Sequence, residues 1–298
     1  MNNHIILVDK KEGISSYFVI KMIKKLYHTN KVGHCGTLDP FASGLLIIGV
    51  NQATKILSFV EDDIKEYIAT VSLGFKTDTK DITGKILEKK DIVSFDEKKF
   101  NEVVKQFIGE INQTPPLYSA IHVNGKKLYE YARNNEKVTI NSRKVVVDEI
   151  KLLSLDDNSF KIYVKCHKGT YIRCLGEDIA ATLNNLGTVT TLRRISIGKL
   201  NVSDATLTSS LEKGIYKKYN VDEILDFKTI DLTNNDKKLK NVYNGQDIFL
   251  DNHDKYVLIK DGKEIVAIYD RIDGNRYHCY RGLYNEDIRL TRLKELHI

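Results

Sequence analysis

Three glycines, a histidine, a cysteine and one carboxylate are crowded into "VGHCGTLDPFASGLL", Val32 to Leu46, where the chain turns apolar. Gly33 and Gly36 permit backbone conformations and close approaches denied to other residues, which suits a tight loop that meets a ligand. Pro40 biases Asp39 towards extended backbone and away from helix. A carboxylate so placed is either a turn-former or a reactive group, and a reactive one serves as acid, base or nucleophile. On spacing alone the Asp-Pro turn is the plainer of the two. The neighbours His34 and Cys35 suggest a Cys-His nucleophile only superficially: adjacent residues rarely face each other, and no third orienting group accompanies them.

Other catalytic sets are missing. The chain has no G-x-x-x-x-G-K-[ST] loop, no G-x-G-x-x-G after a strand and no H-E-x-x-H, so nucleotide-dependent and zinc-protease readings have no foothold. "DTKDITG", Asp78 to Gly84, misses the spacing of a calcium loop, and no metal is expected there. Cys35, Cys166, Cys174 and Cys279 are scattered without a C-x-x-C pair and read as reduced thiols. The apolar run in "MNNHIILVDKKEG" is too short for a signal peptide, and no segment approaches the roughly 18 apolar residues of a membrane span. A cytoplasmic protein with no membrane partner is expected.

The elements that must position these residues follow from periodicity. "HIILVD" reads as a buried strand, after which Ser15 or Ser16 caps a helix with Val19, Ile23, Leu26 and Tyr27 at helical spacing. "EYIATVSLG" alternates, with Tyr67, Ala69, Val71 and Leu73 on one face. Residues 95–108 are helical in pattern; 145–153 and 160–166 read as strands. Ile172, Leu175, Ile179 and Leu183 form one helical stripe, with Arg173 off it in the first turn. From Thr114 to Lys144 tyrosines mix with Lys and Arg, as in an inserted, partly mobile element. Beyond about residue 230, short alternating runs such as "KYVLIKDGKEIVAIY" suggest a small all-β unit.

Length and charge agree with that division. At 298 residues the chain exceeds the size at which one core usually stops growing, which favours two domains. The net charge of +6 is a mild lean towards polyanions. Residues 229–298 hold 12 Lys and Arg against 12 Asp and Glu, so the whole excess belongs to residues 1–228.

"GHCGTLDPFASGLL" resembles the signature loop of the TruB-type pseudouridine synthases, which convert a uridine of the tRNA T-loop, position 55, to pseudouridine. "ILVDKKEGISS" is similar to that family's opening motif, "KEYIATVSLGFKTDTKDITG" to its second, and "QTPPLYSAIHVNGKKLYEYAR" to its RNA-clasping thumb. "CHKGTYIRCLGEDIA" resembles the third motif and "LRRISIGKL" the strand after it. Lys11 departs from the family's usual Pro, and Cys35 occupies a variable place in the loop; neither touches the reactive group.

The resemblance implies an α+β fold with a mixed, largely antiparallel central sheet in a catalytic domain over residues 1–228. It implies a thumb-like insertion at about 114–144 and a C-terminal all-β, PUA-like domain over 229–298. It makes Asp39 the essential aspartate, acting as nucleophile at the ribose C1′ or as base towards the 2′ proton, without cofactor or metal. Arg173 matches the arginine that pairs with it, Tyr67 the tyrosine that stacks on the extruded base, and Tyr171 and Leu192 residues lining the pocket. As bare residues, Arg173 reads as solvated and the other three as packing. His34 matches a histidine that fills the space the uridine leaves, and Lys10 either supports the loop or touches phosphate. The expected partner is the tRNA T-arm, met by a monomer with no obligatory protein partner. Two rivals stand beside this reading: a guide-RNA-dependent relative, and a non-catalytic RNA-binding or chaperone module of the same fold.

Overall fold

The alternation in "KEYIATVSL" becomes the Lys65–Leu73 strand, in which every second residue from Lys65 is buried. A computed structural model describes residues 3–61, 64–119, 121–134 and 136–296, and places this strand near the middle of a ten-stranded sheet. Along the main path the order is Thr206–Leu207, Ile5–Lys10, Ser43–Val50, Gly187–Ile197, Lys65–Leu73, Ser159–Cys166, Arg143–Asp156 and Gly109–Gln113. Two neighbouring pairs on this path are parallel, Ile5–Lys10 with Thr206–Leu207 and Gly187–Ile197 with Ser43–Val50. The others are antiparallel. The sheet is thus mixed and largely antiparallel, as expected.

"SGLLIIGV" is buried along its whole length because both faces of its strand are covered. Leu46 and Ile48 join a core with Val19 and Ile23 of the Ser16–Tyr27 helix and Leu175 and Ile179 of the Ile172–Thr182 helix. Leu45 and Ile47 face a second core that takes in Leu258, Ile265 and Ile268 from the C-terminal sheet. That sheet runs Lys228–Asp231, Tyr256–Asp261, Glu264–Asp273, Arg276–Gly282 and Ile248–Phe249 in spatial order. It begins one residue before the boundary expected from composition. The helices Asp236–Tyr243 and Glu286–Glu295 accompany it, an addition the strand-like alternation did not signal. Phe59 joins the two parts, with ring centroids 5.3 Å from Phe227, 5.2 Å from Tyr256 and 5.3 Å from Tyr280.

The insertion at 114–144 carries a hairpin, His122–Val123 with Lys126–Lys127, and the Leu128–Arg133 helix. Its Ala120 and Asn135 lie outside the described residues. Asn124 and Gly125 turn the hairpin with φ of 50° and 77°, the left-handed pair that a two-residue turn requires. Lys126 sits over the Tyr131 ring and Arg133 over Tyr129, so the mixture of cations and aromatics packs against itself. Among the described residues no helix is long and apolar enough to cross a membrane.

Candidate active site

Asp39 lies in the loop between the Val32–Cys35 and Ser43–Val50 strands, and side chains distant in sequence hold that loop in place. Ser15 caps the Ser16–Tyr27 helix by accepting from the Phe18 N–H at 3.1 Å. Its neighbour Ser16 is thereby left for another task. The buried Ser16 hydroxyl accepts from the Leu38 N–H and donates to the Leu38 carbonyl, both at 2.9 Å. On the far side of Asp39, the Pro40 carbonyl accepts from the Gly13 N–H at 2.8 Å and from Lys10 Nζ at 3.4 Å. Arg194, 1 % exposed, donates through Nη2 to the Gly36 carbonyl at 2.9 Å and through Nε to the Leu45 carbonyl at 2.8 Å. Gly44 lets this strand approach: its φ is +107°, and a Cβ there would lie 2.2 Å from the Arg194 carbonyl oxygen.

The second residue of the Ile172–Thr182 helix, Arg173, points inward and is 4 % exposed. Its Nε lies 3.0 Å from Asp39 Oδ2, its Nη1 3.2 Å from Asp81 Oδ2 and 2.8 Å from the Thr79 carbonyl, and its Nη2 3.0 Å from the Tyr118 carbonyl. A buried guanidinium is costly unless its donors are met, and here two carboxylates and two carbonyls meet them. Asp81 is itself fixed, because its Oδ1 accepts from the Thr83 N–H at 3.0 Å and the Thr79 hydroxyl at 2.9 Å.

These groups border a cavity of about 290 Å³. Asp39, Tyr67, Tyr171, Arg173, Leu192 and Arg194 all line it. Strand register explains part of the grouping: Tyr67 pairs with Arg194, and Ala69 with Leu192, across neighbouring strands. The Asp39 carboxyl keeps some surface open to the cavity, yet the atoms around it desolvate it and raise its pKa; Arg173 opposes that, Asp81 adds to it, and Lys10 opposes it. Burial likewise pushes the Tyr67 phenol up, against the neighbouring Arg194 charge. It raises Tyr171 as well. The result is one carboxylate held against a cation in a partly apolar recess. Such an arrangement can attack an electrophilic carbon or take a proton, and Tyr67, Tyr171 and Leu192 give the recess aromatic and apolar surface. Among the described residues no three His, Cys, Asp or Glu side chains are placed to hold a metal ion.

Two residues singled out in the sequence stand apart from this lining. His34 lies on the Val32–Cys35 strand, half-buried, and its Nδ1 is buried with no hydrogen-bond partner. Burial, then the Arg194 charge, lowers its pKa and favours neutral imidazole. Lys10 is fully buried, with Nζ donating to the Ile14 carbonyl at 2.8 Å and the Lys11 carbonyl at 3.0 Å as well as to Pro40. Burial brings its pKa down to about 8 although Asp39 pulls it up. Sequence reasoning missed Ser16, Asp81 and Arg194 as members of the site. "DTKDITG" misses a metal loop's spacing and falls within the family's second motif, and neither reading indicates that its Asp81 binds an arginine 92 residues away.

Residues 24–172 match the family model for the TruB family pseudouridylate synthase (N terminal domain). The chain belongs to the TruB family. This TruB-family chain is 35% identical over 284 residues to the tRNA pseudouridine synthase B of Mesoplasma florum, covering 94% of this chain and 98% of that relative. It is 38% identical over 290 residues to the tRNA pseudouridine synthase B of Mycoplasma capricolum subsp. capricolum, covering 95% and 98%. Among solved structures, a chain in the crystal structure of a Cbf5-Nop10-Gar1 complex superposes with a TM-score of 0.70 at 23% identity, over 96% of this chain and 86% of that one. That likeness establishes the α+β fold of the TruB-family chain, including its C-terminal β unit.

Proposed function

We propose that this TruB-family protein isomerises uridine to pseudouridine in the T-loop of tRNA, at position 55, as a stand-alone enzyme. The observation that carries the reading is the Asp39–Arg173 pair at 3.0 Å beside Tyr67 and Leu192 in one recess. Isomerisation breaks the bond from ribose C1′ to uracil N1, turns the base and forms a bond from C1′ to C5; the C5 proton leaves and N1 gains one. Asp39 starts this either by attacking C1′ or by removing the 2′ proton. Both roles need the ionised carboxylate, which Arg173 favours and orients.

A uridine in a folded loop reaches such a recess only after leaving its stack. Tyr67 would then stack on the base, with Leu192 and Tyr171 closing the recess round it, and Arg194 would hold Tyr67 and the Asp39 loop in register. The Arg194 charge beside Tyr67 favours the phenolate against the opposing effect of burial, and the phenolate is the form of this side chain that can take the C5 proton. His34, neutral and outside the recess, would fill the place the base has left. Lys10 is assigned to the loop rather than to phosphate, because three carbonyls occupy its ammonium. Cations and tyrosines of the 114–144 insertion would hold the RNA by shape and phosphate contacts. Residues 1–228 act as the catalytic domain and 229–298 as an appended β domain.

The test is release of tritium from uracil C5 of unmodified tRNA, with purified protein and no partner. Wild type should release it and Asp39→Asn should not. No release by wild type, or equal release by the variant, would remove the reading. Release that requires an added guide RNA would move the protein to the guide-dependent class.

A further inference from the structure

Gln113 is the last residue of the Gly109–Gln113 strand, immediately before the insertion, and is 1 % exposed. Its side-chain amide makes two bonds to one residue 58 positions away: the Tyr171 N–H donates to Gln113 Oε1 at 2.7 Å, and Gln113 Nε2 donates to the Tyr171 carbonyl at 3.1 Å. A glutamine amide thus completes the backbone pairing that a further strand would have supplied. Tyr171 is the N-cap of the helix that bears Arg173, and its own side chain lends no capping bond. Two more contacts join the same parts. Cys174 Sγ lies 3.4 Å from the Thr114 carbonyl, and Arg173 Nη2 donates to the Tyr118 carbonyl at 3.0 Å. Gln113, Thr114 and Tyr118 therefore bind the start of the helix at three places, Tyr171, Cys174 and Arg173, and one of those bonds goes to the guanidinium that faces Asp39.

We propose that Gln113 is a positioning residue that fixes the first turn of the Arg173 helix to the base of the 114–144 insertion, so that the placement of the insertion sets the aim of Arg173 on Asp39. The inference rests on the reading of Asp39 and Arg173 as the reacting pair. Arg173 has no freedom to be re-aimed by Asp81 alone, since its Nη2 bond is to the insertion itself. A small displacement of the helix start moves Nε relative to the carboxylate, and rates depend steeply on such placement. The chemical step should suffer while RNA affinity, carried by exposed cations, should not.

The experiment is single-turnover tritium release from C5-labelled tRNA at saturating enzyme, with tRNA affinity measured separately by filter binding. Wild-type release is the control for the underlying reading; its absence would defeat that reading and the role of Gln113 with it. Given wild-type release, Gln113→Leu should lower the single-turnover rate about 10- to 100-fold with affinity within about threefold. Gln113→Glu provides the second arm and keeps the side-chain length. Its carboxylate accepts from the Tyr171 N–H but cannot donate to the carbonyl, whereas the protonated acid does both. The ratio of Gln113→Glu to wild-type rate should therefore climb as pH falls. Wild-type rates in both variants, a loss confined to tRNA affinity, or a pH-independent ratio for Gln113→Glu would each overturn the proposal.

Discussion

Asp81 Oδ2 stands 3.2 Å from Nη1 of Arg173, the guanidinium whose Nε faces Asp39. Asp81 thus bears on the Asp39 carboxylate at one remove, by fixing the cation paired with it. Asp81→Ala leaves a buried guanidinium without one of its two carboxylates and should lower the single-turnover rate on tRNA about 10- to 100-fold. Binding of tRNA, measured in parallel, should change little; a loss confined to binding would refute this role.

Ser16 offers a cleaner separation of loop geometry from charge. Ser16→Ala strips the Leu38 N–H and carbonyl of their partner next to Asp39 and should cost about 1–3 kcal/mol in urea unfolding. The rate should fall about tenfold, whereas Ser15→Ala, which removes only the cap, should cost roughly 1 kcal/mol and spare the rate.

With Asp39 as the proposed reacting group, the acid limb of the pH–rate profile should follow its ionisation. Its pKa is raised by burial, so activity should be lost as pH falls while ordinary exposed carboxylates are still ionised. Asp81 raises the Asp39 pKa and Lys10 lowers it. Asp81→Asn should therefore move the limb to lower pH and Lys10→Met to higher pH, in single-turnover assays. Coincident limbs in all three proteins would contradict the assignment.

Lys10 has a stability signature of its own. Its folded pKa, about 8, lies below the unfolded 10.5, so the unfolded chain binds more protons between those values. The stability of wild type relative to Lys10→Met should rise as pH climbs from about 8 to 10.5, by at most about 3 kcal/mol. Denaturant titrations at neutral and high pH check the sign; a falling difference would exclude the burial account.

Gly44→Ala tests the close approach of two strands. A methyl group 2.2 Å from the Arg194 carbonyl, on a residue with φ of +107°, cannot be accommodated without separating the strands. A loss above about 4 kcal/mol or failure to fold is expected. A wild-type melting temperature would show that the strands separate cheaply.

The sheet was legible because its strands alternate: the burial of Tyr67, Ala69, Val71 and Leu73 is what "EYIATVSLG" states. Asp39 was legible through its Gly- and Pro-bounded loop together with the family motif. Arg173 misleads when read by helical stripe alone, since its carbon stem leaves the apolar face and its head is then buried by partners from three other segments. Asp81, Ser16, Gln113 and Arg194 were opaque for a related reason. Each binds residues 22 to 158 positions away, and local periodicity carries no record of such pairings. The two C-terminal helices are short, and the alternation around them masked their pattern.

The Gly187–Ile197 strand lies between Ser43–Val50 and Lys65–Leu73, two strands that precede it by more than a hundred residues. The middle of the sheet can therefore be completed only once that late strand has been made, and the same strand brings Arg194 to the Asp39 loop. Until then the loop lacks the support that holds the Gly36 and Leu45 carbonyls. A nascent chain still short of Arg194 lacks the side chain that braces the Asp39 loop, so the complete arrangement exists only after at least about two-thirds of the chain has been made.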